Sequence, residues 1–319
     1  MIFEKQIVNV YKKTMHARCD DTDTVFYFSA EDFEGLSKEP YSFVASAGHT
    51  LKGYIYQYPN PKPERLVVFD HGFGGGHRAY MKEIEMLCRH GYTVLSYDHT
   101  GCMESGGENP NGMAQSLCDL NDCIGTVKAD KRFAGYDISV IGHSWGGFST
   151  ANISALYPEI SHVVVIAGFV AVREIINSLV GGVLKYYREA IIDVERKANP
   201  VFAEFHAVES LKKSGAKALL IYSEDDHIVK RNNYDILKQG LSDRENTRFL
   251  LVNGKRHNPN YTEKAVGLLK EFSDAKHKFL KNKKVTVEER RAFAASFDWE
   301  AMTEQDEAVW NVIFEHLES

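Results

Sequence analysis

The hydrophobic pattern of this 319-residue chain changes rhythm once. Residues 41–58, YSFVASAGHTLKGYIYQY, are rich in β-branched and aromatic side chains around Gly48, which predicts two antiparallel strands. After them, short apolar runs alternate with helical stretches. The runs are Leu66–Phe69, Tyr92–Tyr97, Ile138–Ile141, Val163–Ala167, Ala218–Tyr222 and Arg248–Val252. Each is short and rich in Val, Ile and Leu, the pattern of strands buried on both faces of a parallel sheet. Between them, Met81, Ile84, Leu87 and Cys88 recur at helical spacing before Gly91, a helix stop. Phe148, Ala151, Ile153, Ala155 and Leu156 precede a second stop at Pro158. Strand–helix alternation of this kind predicts right-handed βαβ units and one mostly parallel sheet flanked by helices.

Two stretches break the alternation. Residues 169–216 lie between two sheet strands but are about three times longer than a simple crossover. They contain helical pieces and open on Phe169, Val170, Ile175, Ile176, Leu179, Val183 and Leu184, too apolar for a solvent-facing loop. Gly181-Gly182 in the middle suits a bend. Residues 259–302 follow the last strand and are also mostly helical. The last helical segment, Asp306–Leu317, gathers Val309, Trp310, Ile313, Phe314 and Leu317 on one face and is expected to pack on the sheet. The whole of 1–319 is therefore read as a single domain with two insertions, about 169–216 and about 259–302.

Composition narrows the function classes without choosing among them. The chain is 44% hydrophobic and 26% charged, with a net charge of −6 and both signs interspersed. There is no basic stripe for nucleic acid and no polybasic anchor for a membrane. No run of about 18 apolar residues predicts a membrane span, and MIFEKQIVNVYKK has no apolar core or cleavage site of a signal peptide. Five cysteines, an odd number at low density, argue against a disulfide framework and for a reducing, cytoplasmic compartment. Cys118 and Cys123 lack the spacing of a zinc site, and no metal is expected.

Chemistry enters at Gly142-His143-Ser144-Trp145-Gly146, which sits between a buried strand and a helix. This is the G-x-S-x-G nucleophile elbow. A serine on such a strained turn holds its Oγ clear of the backbone, and side chains two residues either side would collide. The following helix aims its N–H groups and positive dipole end at the place where an oxyanion develops. A serine hydroxyl needs a base, and the base needs a group that fixes its tautomer. Past the strand ALLIYS stand Asp225 and Asp226, and past RFLLV stands His257. Both loops leave the strand ends where open α/β sheets gather ligands. Of the two acids Asp226 is favoured, with Ile228 and Val229 returning to apolar cover. His277 and His316 fall within helical patterns and read as surface residues. The loop His71–Gly76 follows an early strand, and its glycines allow close backbone approach to a substrate oxygen. The N–H groups of Phe73 and Trp145 are expected to form the oxyanion hole, with Trp145 also a wall of the pocket. Phe169 and Leu184 are expected to bind substrate. His71 and His143 read as residues that orient their loops, and Tyr186 and Tyr187 as packing or lining residues of the inserted helices. GFGGGH followed by Asp98 partly mimics a dinucleotide fingerprint, but His77 occupies the third glycine position and residues 142–147 would be left without a role.

Taken together, HGFGGG (71–76), SYDHTGCMESGG (96–107), GHSWGG (142–147), SEDDHIV (223–229) and GKRHNP (254–259) resemble the α/β-hydrolase superfamily, in its esterase, lipase and aminopeptidase branch. The resemblance runs from about residue 41 to the C-terminus. It implies an α/β-hydrolase fold with a helical cap at 169–216, no cofactor, and the triad Ser144, Asp226 and His257. Two departures stand out: Ser223 where glycine is common before the acid, and the long excursion 259–302. The expected activity is hydrolysis of a carboxylic ester of a small or medium acyl substrate through an acyl-enzyme on Ser144. A serine aminopeptidase or amidase, an acyltransferase, and an inactive binding member of the fold are the alternatives. The chain leaves the oligomeric state and the physiological substrate open.

Overall fold

The computed structural model describes residues 3–319; Met1 and Ile2, within the stretch read against a signal peptide, lie outside the described residues. In chain order the elements are α1 (Glu4–Met15), β1 (Ser37–Val44), β2 (Thr50–Gln57), β3 (Arg65–Asp70), α2 (Met81–Arg89), β4 (Thr93–Tyr97) and α3 (Gln115–Ala129). There follow β5 (Asp137–His143), α4 (Trp145–Ile153), β6 (His162–Ile166), α5 (Val172–Leu179), α6 (Arg188–Ala198), α7 (Ala207–Lys213) and β7 (Lys217–Ser223). The chain continues with α8 (Asn232–Gly240), β8 (Thr247–Val252), α9 (Glu263–Phe279), α10 (Val287–Ala295), α11 (Trp299–Met302) and α12 (Glu307–Leu317).

All eight strands form one sheet in the order β1-β2-β4-β3-β5-β6-β7-β8. The pairs β1–β2 and β2–β4 are antiparallel and the other five are parallel. Every apolar run of the sequence became a strand, and the antiparallel pair begins at Ser37, four residues before Tyr41. Alternation along the strands divides the core into two layers. Leu66, Val68, Leu95, Val140, Val163, Val165 and Leu220 face α3, α4 and the 169–216 helices. Val67, Phe69, Val94, Ile141, Val164, Leu219 and Ile221 face α2, α9, α11 and α12. Each such side chain, fully buried, contributes about 1.5–3 kcal/mol. One expectation needs correcting: β8 is only partly buried along its length, because it is the edge strand beyond β7 and nothing pairs with its far side.

Both insertions leave and rejoin the fold at a single β-bridge. Ala171 pairs with His206, and the N–H of Ala207 donates to Val170 O, so residues 172–205 rise from closed ends. Helix α7 lies past that bridge and packs on α4, where Ser210 Oγ donates to Asn152 Oδ1 at 2.6 Å. It is an ordinary crossover helix, so the raised part of 169–216 comprises α5, α6 and two 3₁₀ turns, Gly182–Tyr187 and Phe202–Glu204. At the second insertion Tyr261 pairs with Gln305, and the N–H groups of Thr262 and Asp306 close the same staple. Helices α9–α11 are thereby kept out of the loop that carries His257. Among the described residues no helix is long and apolar enough to cross a membrane.

Candidate active site

Strand β5 ends at His143 and α4 starts at Trp145, leaving Ser144 alone on the turn. Its φ of 55° and ψ of −107° lie where non-glycine residues are rare, and such strain persists only where surroundings impose it. The surroundings do so here. Ser144 N donates to Ile166 O at 2.8 Å, tying the turn to β6. A Cβ on Gly142 would collide with the Gly146 carbonyl, and one on Gly146 would collide with the Asp70 carbonyl. The turn can be this tight only because both positions are glycine.

The candidate base and acid, His257 and Asp226, arrive from two neighbouring loops. His257 Nε2 lies 2.8 Å from Ser144 Oγ, and His257 Nδ1 lies 2.7 Å from Asp226 Oδ2. Asp226 is 4% exposed, and its other oxygen accepts from the N–H groups of Ile228 (2.7 Å) and Val229 (3.0 Å). Both lone-pair sets of the carboxylate are therefore aimed. Asp225 points elsewhere: its Oδ1 accepts from Ser223 Oγ at 2.6 Å and from Arg256 N at 3.1 Å. Ser223, the departure before the acid, thus orients Asp225, and Asp225 holds the strained Arg256 (φ 48°) that precedes the histidine.

Behind His257 runs a chain of hydrogen bonds that carries no mark in the sequence. His143 Nε2 lies 2.7 Å from the carbonyl oxygen of His257, so that nitrogen carries a proton and donates. Burial, aided by neighbouring His257, holds the His143 pKa down to about 3, so the ring is neutral and its Nδ1 accepts. The Tyr80 hydroxyl supplies that hydrogen bond at 2.8 Å and itself accepts from Gly72 N at 3.0 Å. One continuous path thus joins the glycine-rich loop, the elbow and the backbone of the base. His71 belongs to the same loop: burial lowers its pKa to about 3, its Nδ1 donates to Gly72 O, and its Nε2 accepts from His99 N. Both rings thus hydrogen-bond to the backbone of neighbouring loops.

Beneath the elbow lies a buried charge. His99 is fully buried between Asp119, whose Oδ2 is 3.2 Å from Nδ1, and Asp70, whose Oδ1 is 3.1 Å from Nε2 and off the line of a hydrogen bond. Burial alone would lower the His99 pKa, but the two carboxylates outweigh it and raise it to about 10. Asp70 also accepts from Tyr97 OH at 2.8 Å and from Ser149 Oγ of α4.

Above Ser144 opens a cleft of about 700 Å³ in all, open to solvent at its mouth. Phe73, Trp145, Phe169, Ile175 and Leu179 line it together with Ser144 and His257. Phe169 stacks on Phe148 with ring centroids 4.7 Å apart, so its position is fixed from below. The expectation for Leu184 needs correcting. It falls in the 3₁₀ turn after Gly181-Gly182, is 41% exposed, and does not line the cleft; Leu179, one turn earlier at the end of α5, lines it instead. Tyr186 is likewise exposed on that turn. His316 is also corrected: it is buried edge-on against His162, with burial lowering its pKa to about 4, whereas His277 is exposed. Gly72 and His143 also line the cleft, as do Met15, Tyr80, Met113 and Ile228, which were not anticipated there. The spacing of Ile7, Tyr11 and Met15 would have marked a helical stripe in α1, but nothing local told which surface it covers. A second cleft of about 730 Å³, lined by Asp20, Tyr27, Arg78, Asp98 and Glu104, brings together no hydroxyl–imidazole pair.

Comparison with known proteins agrees with this architecture. Residues 61–200 match the family described as serine aminopeptidase, S33. An uncharacterized protein of Bacillus subtilis (strain 168), YqkD, is 26% identical over 150 residues, 46% of this chain and 47% of that protein, so the match spans about half of each. Among solved structures, the Pyrococcus furiosus esterase Pf2001 superposes with a TM-score of 0.60 at 18% identity, covering 82% of this chain and 98% of that one. An alpha-beta hydrolase from Vibrio vulnificus gives 0.56 at 16% identity, covering 78% and 82%. At such identities the likeness carries the fold.

Proposed function

We propose that this chain, which has the fold of the α/β hydrolases and matches a serine aminopeptidase family over residues 61–200, is a member of that superfamily and a serine hydrolase cleaving a carboxylic ester of a small or medium acyl substrate. The observation that carries the reading is the unbroken hydrogen-bond path Ser144–His257–Asp226 at the floor of an apolar cleft. Ser144 Oγ attacks the acyl carbon while His257 Nε2 takes its proton. Asp226, on the other side of the ring, stabilises the imidazolium that forms. The N–H groups of Phe73 and Trp145 receive the oxyanion, with α4 starting at Trp145 and its positive end beneath. The imidazolium then protonates the departing alcohol, and water cleaves the acyl-enzyme by the same steps in reverse. Residues 172–205 act as the cap, bringing Ile175 and Leu179 over the nucleophile.

The match to a serine aminopeptidase family supports a second reading, cleavage of an amide. The chemistry of the cleft weighs against a substrate with a free amino end: among its lining residues there is no carboxylate to pair with an α-ammonium. All five cysteines are free thiols, which supports a reducing compartment such as the cytoplasm. The deciding experiment is labelling by a fluorophosphonate followed by a hydrolysis panel of esters, thioesters, amides and aminoacyl arylamides. Labelling at Ser144 with turnover of esters is expected. Labelling with turnover of aminoacyl arylamides alone would replace the ester reading, and no labelling would remove the nucleophile.

A further inference from the structure

Helix α1 lies outside the region matched by the family, yet its Met15 lines the cleft above Ser144. Besides apolar packing, one carboxylate ties it there. Glu195 of α6 has no solvent exposure. Its Oε1 accepts from Tyr11 OH of α1 at 2.6 Å, and His16 Nε2, just past the end of α1, lies 3.3 Å from the same oxygen. Its Oε2 accepts from Met113 N at 2.5 Å. Gly112 has a φ of +96°, and a Cβ there would stand 2.6 Å from Glu195 Oε2, so the backbone of this loop approaches the carboxylate as only glycine allows. A second bond, from Asn199 Nδ2 to Asn111 O at 2.7 Å, ties the same loop to the end of α6. Three segments distant in sequence therefore meet on Glu195, and two of them, α1 and the loop before α3, each send a methionine into the cleft.

Met113 is fixed from the other side as well. Its carbonyl accepts from Trp145 Nε1 at 2.7 Å, directly beside the nucleophile. Met15 rides on α1, whose Tyr11 and Ile7 pack on the core beneath. Methionine is unbranched and fills irregular gaps, so its reach depends on where its backbone is held. An apolar cleft grades substrates by how many methylenes it covers, each worth about fourfold in relative affinity.

We infer that Met15 and Met113 are specificity-determining residues, a wall that sets the length of apolar chain the cleft accepts, and that Glu195 is the positioning residue that clasps this wall to the cap. The inference rests on the serine-hydrolase reading and adds to it the part of the chain that selects the substrate. Tyr11 and His16 serve the clasp and touch no reacting atom.

The test uses the full chain and a series of alkyl fluorophosphonates of increasing chain length, with the rate of covalent attachment to Ser144 read by mass spectrometry. The probe reports fit whether the natural substrate is an ester or an amide: Oγ forms a bond to phosphorus, fluoride leaves, and His257 takes the proton. Met15→Ala is expected to move the optimum towards longer chains, with about a fourfold gain per added methylene that fits the new space. Met15→Trp is expected to move it towards shorter ones. Tyr11→Phe, which removes one bond of the clasp and alters no lining atom, is expected to flatten the profile, and on ester substrates to change KM more than kcat. A profile unmoved by both Met15 substitutions, in variants whose Tm shows them folded, overturns the wall. A profile moved by Met15 but not by Tyr11→Phe or Glu195→Gln overturns the clasp. Absence of labelling in the wild type sinks the serine-hydrolase reading and this inference with it.

Discussion

The loops that carry Ser144, Asp226 and His257 fix their side chains by hydrogen bonds of 2.7–2.8 Å, while the segment above them offers Phe169, Ile175 and Leu179 by apolar contact. The floor is built from short stretches that each follow a strand end. The roof is assembled from α5, α1 and the loop before α3. Proton transfer needs groups held within about half an ångström, which directional bonds supply. Selection of a chain length needs only a volume, which side chains of adjustable shape supply. On the proposed serine-hydrolase reading, chemistry and selectivity are entrusted to different kinds of force, and substitutions should sort accordingly.

The largest effect is expected at the floor. Ser144→Ala should lower kcat by about a million-fold, the order found when a triad nucleophile is removed, with Tm near that of the wild type. Near-normal turnover in a folded variant would end the reading of the floor as a reacting site. Next comes the pair of acids. Asp226→Asn should lose about four orders of magnitude through the wrong tautomer of His257. Asp225→Asn should lose about tenfold, because it only loosens the Arg256 backbone next to the base; the reverse ranking would exchange their roles.

Tyr80→Phe tests the path behind the base. It leaves Gly72 N and His143 Nδ1 without their partner, and a loss of about tenfold in kcat is expected from a loosened base. A change in KM alone would make Tyr80 a wall of the cleft and nothing more. At the roof, Leu179→Trp should shift chain-length preference by a few-fold per methylene, whereas Leu184→Trp, on the exposed turn, should leave kcat/KM within about twofold. Equal responses would erase the distinction drawn between the two leucines.

The smallest effect separates floor from roof by pH. His71 and His143 stay neutral in the folded chain because burial lowers their pKa values to about 3. The unfolded chain binds those protons from about pH 6.5 downwards. Their contribution to stability is therefore complete above about pH 6.5 and is lost as pH falls towards 3. His99 runs the other way: raised to about 10, its contribution is complete below about pH 6.5 and fades as pH rises through 10. Tm measured from pH 4 to pH 10 should show both flanks. His143→Gln should flatten the acid one, and roof substitutions should alter neither.

The legibility of the sequence follows the same division. Leu66–Phe69 and Val163–Ala167 announced strands because burial on both faces demands unbroken apolar runs. Gly142 announced the elbow because the clash it avoids, with the Gly146 carbonyl, lies within five residues; the clash that Gly146 avoids is with the distant Asp70 carbonyl and left no local mark. Asp226 was separable from Asp225 by the apolar residues that follow it. Leu184 misled because its neighbours are as apolar as those of Leu179, and only the bend after Gly181-Gly182 turns it to solvent. His316 misled because a histidine in a helix pattern carries no mark of the His162 ring against it. Met15 and Tyr80 were silent for a different reason. Their partners are distant in sequence, and spacing along one chain holds no record of a contact made across the fold.

The clasp on Glu195 also has a consequence for how the chain is made. Tyr11 precedes Glu195 by 184 residues. At about 5–20 residues per second of translation, the interval between them is roughly 10–40 s. Throughout it, Ile7, Tyr11 and Met15 form an apolar stripe on a helix whose resting place has yet to be synthesised. The β3–β5 portion of the sheet can pair in the meantime, since its strands lie closer together in the chain. Helix α1 therefore cannot close its clasp until α6 has been made, and through that interval the nascent polypeptide carries a greasy helix without its Glu195 partner.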